Sequence, residues 1–135
     1  MKYVVWDNAW SVGVAEIDRQ HRKIIDMINR LESARLNGMS AMMIGSILEE
    51  LKKYTQYHFG LEEMYFDEFH YEDADEHRIS HEFFTIKVES FCHAFAGRRE
   101  GLTEDVVQFL QGWLNLHIKG SDLKYKDCFL SNGLQ

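Results

Sequence analysis

Apolar residues recur at spacings of three and four along most of the chain, and this spacing predicts four amphipathic helices. The predicted helices cover approximately residues 18–37, 40–69, 74–96 and 103–120. Asp18, Ser40 and Thr103 are expected to cap the first, second and fourth of them. An extended arm of residues 1–17 is expected to pack its aromatic side chains on the helices, and a short tail of residues 123–135 follows.

The links between these helices are short, so neighbouring helices should run antiparallel. The sequence therefore predicts an all-α fold, an up-down-up-down antiparallel four-helix bundle with an extended N-terminal arm, as a single domain over residues 1–135. The chain contains no proline, which would break a helix, and a basic loop is expected at residues 97–101.

The composition excludes several classes of function. The chain has 15 Lys and Arg against 22 Asp and Glu, a net charge of −7, and no basic run that would bind nucleic acid or an anionic membrane. No stretch approaches 18 apolar residues, and no charged-then-apolar leader opens the chain, so we expect a cytoplasmic protein without a membrane span. The net charge of −7 suggests a monomer. Cys92 and Cys128 are too few for a disulfide framework and should lie too far apart to pair.

The histidines are the informative residues. Five of the seven fall on the predicted apolar faces, and each helix contributes at least one: His21, His58, His77, His81 and His117. A buried imidazole without a partner costs roughly 1–3 kcal/mol. Five of them would together cost about as much as the whole stability of a typical domain. A metal is the usual partner in a bundle core. The other two, His70 and His93, are expected in a loop and on the surface.

The spacing of the polar residues strengthens the metal interpretation. His58 and Glu62 are four residues apart, as are His77 and His81, so each pair shares one face of its helix. Because successive helices alternate in direction, both pairs, together with His21 in the first helix, should meet at one end of the bundle.

His117 and Asp122 are five residues apart, which places them about 140° apart on a regular α-helix. One face can present both only if the helix ends or widens there, as in a π-type turn, and Gly120 would permit that distortion. Five imidazoles and two bridging carboxylates then suit two six-coordinate ions with a bridging hydroxide or oxide, leaving one position open on one metal. Iron fits such donors, with manganese, cobalt and zinc as competitors.

Five groups of residues, spread over nearly the whole chain, together match the pattern of a known protein family. They are Val5-Trp6-Asp7, Asp18-x-Gln20-His21, His58-Phe59-x-x-Glu62-Glu63, His77-x-x-x-His81-x-x-Phe84 and Trp113-Leu114-x-x-His117-Ile118-x-x-x-Asp122-x-x-Tyr125. With these residues the chain resembles the hemerythrin family, and specifically its bacterial single-domain members. The resemblance implies a non-haem centre of two iron ions, with a bridging hydroxide or oxide, that binds O₂ reversibly for storage, delivery or buffering, without enzymatic activity.

The resemblance also implies individual roles. His77, His81 and His117 would hold the saturated iron, His21 and His58 the iron with the open position, and Glu62 and Asp122 would bridge the two. Residues expected to surround the O₂ pocket are Ile24, Phe59, Phe84, Trp113, Leu114, Ile118 and Gly120. At Gly120 many members carry a bulky aliphatic residue, so we hypothesise a solvent path there that speeds autoxidation. Gln20 could support a ligand from outside the centre.

Three alternatives stay open. The protein could be an O₂ or redox sensor that acts through a partner protein, since similar domains occur attached to signalling modules. It could be a di-iron enzyme that handles peroxide or nitric oxide, which would require a substrate channel and an electron donor. It could also be a metal-free bundle whose histidines are structural, in which case changing Glu62 would hardly alter metal content.

Overall fold

The computed structural model describes residues 3–96 and 102–135, so the basic loop expected at residues 97–101 lies outside the described residues. Every regular element among the described residues is a helix, and none is a strand. The α-helices are α1 (Ala15–Leu36), α2 (Ala41–Glu68), α3 (Ala74–Ala96), α4 (Leu102–Leu116) and α5 (Lys126–Ser131). A 3₁₀-helix, Asn8–Trp10, precedes α1, and a π-helical turn, His117–Asp122, follows α4 directly.

The four long helices close into the predicted bundle. α1 packs against α2 and α4, and α3 packs against the same two helices from the other side. Ser40 caps α2 as predicted, because its side chain accepts a hydrogen bond from the backbone N–H of Met43 at 3.3 Å. Among the described residues, no helix is both long and apolar enough to cross a membrane.

Two predicted caps are wrong. α1 begins at Ala15, so Asp18 lies inside its first turn, where its carboxylate accepts hydrogen bonds from Ser11 Oγ and from the backbone N–H of Val12. Asp18 therefore fastens the arm to the helix rather than capping it. α4 already begins at Leu102, which places Thr103 within the helix.

The N-terminal arm is tied to the bundle along its length. Asn29 on α1 bonds both the N–H and the carbonyl of Val4, at 2.9 and 2.8 Å. Trp10 is buried, and the Lys119 ammonium lies 4.6 Å from the centre of its ring. The arm therefore braces the π-helical turn that contains Lys119.

The core consists of two apolar clusters along the bundle axis. The larger fills most of the bundle and includes Phe59, whereas the smaller lies around Phe66, two turns further along α2. The smaller cluster includes Phe129 of α5, a helix that the predicted tail lacked. The contact of Phe129 with Phe66 packs this short helix against the end of α2. The stretch of α2 between Phe59 and Phe66, which carries Glu62, thus lies between two apolar layers.

Candidate metal centre

The structure brings together all seven residues proposed as metal ligands. They come from α1 (His21), α2 (His58 and Glu62), α3 (His77 and His81) and the π-helical turn (His117 and Asp122). All seven side chains are buried, and none is more than 4% exposed. The alternation of helix direction therefore gathers the ligands at one end of the bundle.

The π-helical turn allows His117 and Asp122, which are five residues apart, to lie on the same face of the helix. Hydrogen bonds of π type span five residues, so residues five apart return to the same face. His117 Nε2 consequently lies 3.0 Å from Asp122 Oδ1. The widened turn expected from the sequence is thus present over His117–Asp122.

Glu62 directs its two carboxylate oxygens toward different histidines. Oε1 lies 3.0 Å from His81 Nε2, whereas Oε2 lies 3.4 Å from His58 Nε2 and 3.7 Å from His21 Nε2. The carboxylate thus faces α3 with one oxygen and α1 and α2 with the other.

The two carboxylate oxygens of Asp122 also face different histidines. Oδ1 lies 2.7 Å from His77 Nε2 and 3.0 Å from His117 Nε2, and Oδ2 lies 3.0 Å from His21 Nε2. Both carboxylates therefore stand between the same two groups of imidazoles.

The donor atoms form two overlapping sets, each with all atoms within 4.8 Å of one another. The three-histidine set comprises His77, His81, His117, Glu62 and Asp122; the two-histidine set comprises His21, His58, Glu62 and Asp122. The two sets share only the carboxylates. The two-histidine set has four donor residues, one fewer than the three-histidine set.

The unsatisfied atoms of the cluster fit a cation. Among the described residues, seven buried atoms that face the centre lack a hydrogen-bond partner: Nε2 of His21, His77, His81 and His117, Oε1 of Glu62, and both carboxylate oxygens of Asp122. Leaving one such atom unpaired costs roughly 1–3 kcal/mol. Some of these atoms lie within 3.0 Å of one another without a hydrogen bond, as lone pairs do when they converge on an ion. Imidazole and carboxylate donors suit iron.

Outside the cluster, three ligand rings are held through Nδ1. His58 donates to the Gln20 side-chain oxygen at 2.7 Å, which is the support proposed for Gln20. His81 donates to Glu63 Oε2 at 3.0 Å. A proton on Nδ1 leaves Nε2 with a free lone pair for a metal.

The third ring, His117, is paired through Nδ1 with Ser80 Oγ at 2.8 Å. Sequence reasoning missed Ser80, and it quoted Glu63 only as part of a motif, without a role. Each directly adjoins a ligand in the sequence, which is the only local signal of its role. The histidine that each of them contacts lies on another element, and the spacing of residues along one helix cannot specify that contact.

Tyr125 has a further role that its motif position did not reveal. Its buried hydroxyl donates a hydrogen bond to Glu62 Oε2 at 2.5 Å. Burial raises the pKa of Tyr125 well above 10, and the charges of Glu62 and Asp122 raise it further, so the group stays a neutral donor. Tyr125 thereby orients the carboxylate oxygen that faces the two-histidine set.

The electrostatics of the cluster favour charged carboxylates. Burial opposes ionisation of Glu62, but the neighbouring His58 charge and the close imidazole nitrogens of His21, His58 and His81 hold its pKa well below the usual range. Burial and the charge of Glu62 also oppose ionisation of Asp122, and the imidazoles, His117 first, hold its pKa far below normal.

The histidines respond to those charges in different ways. Burial lowers the pKa of His21, but the close carboxylates of Asp122 and Glu62, with their negative charges, outweigh it and raise the pKa to about 9. Burial likewise opposes the protonation of His81, whose pKa Glu62 and Glu63 raise to about 9. Burial lowers the pKa of His117 despite Asp122. A metal ion entering the cluster must therefore displace protons from His21 and His81.

Six of the seven proposed pocket residues are buried in the larger core cluster. Phe59 stacks on the His81 ring with centroids 3.9 Å apart, and Trp113 stacks on the His117 ring at 4.2 Å. Phe84 lies 4.3 Å from Trp113. The remaining three, which are buried in the same cluster, are Ile24, Leu114 and Ile118. Aromatic rings thus cover two ligands of the three-histidine set.

Gly120 does not belong to this apolar lining, which corrects the expectation from the sequence. The residue is exposed, and a Cβ built on it meets no atom within 4 Å. The π-helical turn brings residues 117 and 122 to the inner face, so residue 120, midway between them, is turned outward. A missing side chain at this position consequently does not open a path toward the buried cluster.

The outward position of Gly120 leads to a prediction. Gly120→Ala should raise the free energy of unfolding by about 0.5–1 kcal/mol, because alanine has less backbone freedom to lose and meets no neighbour. Iron content and autoxidation rate should stay at the wild-type level. Urea denaturation measures the free energy of unfolding, and the rate of conversion to the ferric form in air measures autoxidation. A slower ferric conversion in the variant would restore the solvent-path hypothesis.

The other histidines and the cysteines lie outside the cluster. His70 and His93 are exposed, and His70 has a left-handed backbone with φ of 53° in the turn after α2. Cys92 and Cys128 are both free thiols, in agreement with the expectation that they do not pair.

A helical bundle with a buried cluster of imidazoles and carboxylates at one end defines a class of metal-binding bundle protein. The model of the hemerythrin family, described as the hemerythrin HHE cation binding domain, matches residues 12–128. The chain belongs to the hemerythrin family. This confirms the resemblance drawn from the sequence, and the family is one of iron-containing, O₂-binding proteins.

The similarity extends over almost the full length of known relatives. A bacteriohemerythrin of Stenotrophomonas maltophilia is 33% identical over 127 residues, which cover 94% of this chain and 82% of the relative. A hemerythrin-like protein of Naegleria gruberi is 34% identical, covering 90% of this chain and 89% of the relative. A crystal structure of wild-type hemerythrin superposes with a TM-score of 0.87 at 27% identity, covering 94% and 98% of the two chains.

Proposed function

We propose that the protein binds O₂ reversibly at a pair of iron ions and serves in oxygen storage, delivery or buffering. The observation that carries the proposal is the division of the donors into two sets that share both carboxylates, one set with a donor fewer than the other. Glu62 and Asp122 would each give one oxygen to each ion. The two-histidine set would leave room for one small ligand.

When bound, a ferrous pair supplies the electrons that make association with O₂ possible. The chain supplies the surroundings that keep this association reversible. Phe59 and Trp113 cover His81 and His117 with apolar rings and exclude water from that side. Tyr125 holds Glu62 by a hydrogen bond, so the shared carboxylate keeps one orientation. We propose binding rather than catalysis as the activity.

An anaerobic–aerobic optical cycle tests this function. Iron-loaded protein is reduced without oxygen, exposed to air, and then purged with argon while the visible spectrum is recorded. We expect a coloured species that forms in air and disappears on purging, with return of the ferrous spectrum. Zinc-loaded protein, which cannot supply electrons, is the control and should show no visible change. Irreversible conversion to a ferric spectrum would contradict reversible binding.

One observation favours the sensor as a second candidate. α3, which carries His77 and His81 on its inner face, exposes three apolar side chains on its outer face. Ile79 is 66% exposed, Phe83 57% and Ile86 60%, at the spacing of one helical stripe. Exposed apolar stripes are typical of interaction surfaces. An irreversible ferric product in the optical cycle would favour this candidate.

A further inference from the structure

The two donor sets differ in the groups that support them from outside. In the two-histidine set, His58 donates its Nδ1 proton to the neutral amide of Gln20, and His21 Nδ1 is buried without a hydrogen-bond partner. In the three-histidine set, His81 donates its Nδ1 proton to the carboxylate of Glu63. Among the described residues, Glu63 is the one carboxylate with a hydrogen bond to Nδ1 of a proposed histidine ligand, the ring nitrogen that faces away from the centre.

Glu63 is itself contacted by a cation. Arg78 Nε lies 3.4 Å from Glu63 Oε1, the oxygen that His81 does not use. The same guanidinium pairs with Asp67 and lies 3.6 Å from Asp75. Glu63 and Arg78 are each about one-third exposed, at 32% and 31%, so solvent weakens this pair without removing it. Arg78 therefore contacts Glu63, and Glu63 in turn contacts the buried His81, which faces the centre.

These contacts have opposite effects on His81. A carboxylate that accepts the Nδ1 proton makes the imidazole a stronger donor through Nε2, and a stronger donor stabilises the higher oxidation state of a metal. A guanidinium beside that carboxylate withdraws part of its charge and weakens the effect. We propose that Glu63 and Arg78 form an opposed pair that sets the reduction potential at the three-histidine set, Glu63 lowering it and Arg78 raising it.

The inference rests on the proposed function, and it makes Glu63 and Arg78 positioning residues that act through His81. Its consequence is that the two ions are unequal in potential. The ion at the three-histidine set is more easily oxidised than its ligand types alone would make it, because only that set has an anionic support.

Anaerobic redox titration of iron-loaded protein, followed optically, tests the pair. Glu63→Gln keeps the shape and an acceptor oxygen but removes the charge. At a fixed applied potential it should raise the ratio of ferrous to ferric protein about tenfold, which is the difference between a hydrogen bond to a charged group and one to a neutral group. Arg78→Gln should lower that ratio about two- to fivefold, the range of a partly exposed ion pair. Shifts in opposite directions cannot arise from simple loosening of the site.

Arg30 and Glu50 provide matched controls. They form a surface ion pair at 3.4 Å between α1 and α2, with side chains about half exposed. Arg30 lies nine residues beyond His21, which is about 14 Å along the helix. Arg30→Gln and Glu50→Gln make the same charge changes as the test variants, and both should leave the ferrous to ferric ratio unchanged.

A second readout does not depend on redox chemistry. In zinc-loaded protein the Nδ1 proton of His81 can be observed by NMR, and Glu63→Gln should move its resonance upfield because an amide is a weaker acceptor than a carboxylate. An unmoved proton, or titrations that shift in the same direction for both variants, would overturn the inference. Irreversible oxidation in the optical cycle would instead overturn the proposed function while opposite shifts still supported the pair.

Discussion

Glu62→Gln is expected to lower the iron content of the purified protein about tenfold or more. The reason is that Glu62 serves both donor sets: Oε1 faces His81, and Oε2 faces His58. A glutamine retains one carbonyl oxygen and replaces the other by an amide nitrogen, which cannot ligate. It also removes one of the two negative charges that balance the cations. Iron per chain, measured by elemental analysis after anaerobic loading and desalting, checks the prediction.

Glu32→Gln is the matched control for this variant. Glu32 is also a buried glutamate, only 2% exposed, but it lies eleven residues beyond His21 on α1 and pairs with Arg35. The control should retain wild-type iron even if it loses some folding stability. If Glu62→Gln also retained the iron content of a loaded wild-type protein, Glu62 would not be a ligand; if neither protein held iron, the histidines would be structural, as in a metal-free bundle.

The helices and the ligand cluster were predictable because both depend on local spacing. The four-residue steps from His58 to Glu62 and from His77 to His81 fix which face each pair shares. The antiparallel order then fixes the end of the bundle at which they meet. Even the π-helical turn could be anticipated, because the five-residue step from His117 to Asp122 fits no regular α-helix.

What escaped prediction depends on contacts between elements. Asp18 has the residue type and position of a cap, but the arm supplies Ser11 and Val12 as competing donors, and the helix starts earlier. The hydrogen bond between Glu63 and His81 depends on how α2 is rotated against α3. No spacing within one helix encodes that rotation, because side-chain packing decides it.

The misjudged position of Gly120 has the same origin. Its place in the sequence, between His117 and Asp122, suggests that it borders the centre. The turn that brings its two neighbours inward also turns it outward, where a Cβ meets no atom within 4 Å. A widened turn was therefore predictable from spacing, whereas its effect on the intervening residues required the backbone geometry.

Removal of the metal is expected to cost the protein much of its stability. Seven buried donor atoms lack hydrogen-bond partners, and an ion would satisfy them. With free metal about 1,000-fold above its dissociation constant, binding contributes about 4 kcal/mol to the free energy of unfolding. For a domain of this size that corresponds to a fall in Tm of roughly 10–20 °C on chelation. Thermal unfolding of loaded and chelated protein at the same pH measures the difference.

The pH dependence of that difference separates metal binding from a general effect of the chelator. In metal-free protein the pKa values of His21 and His81 are raised to about 9, so their protons stabilise the fold fully below pH 6.5. That contribution is lost as the pH rises through about 9. Loaded protein holds a cation in place of those protons, so its stability should not fall in this way as the pH rises. The Tm difference should therefore widen between pH 7 and pH 9, and Glu62→Gln, which binds little iron, should show almost no difference at either pH. A difference that narrowed with rising pH would contradict the exchange of protons for metal at His21 and His81.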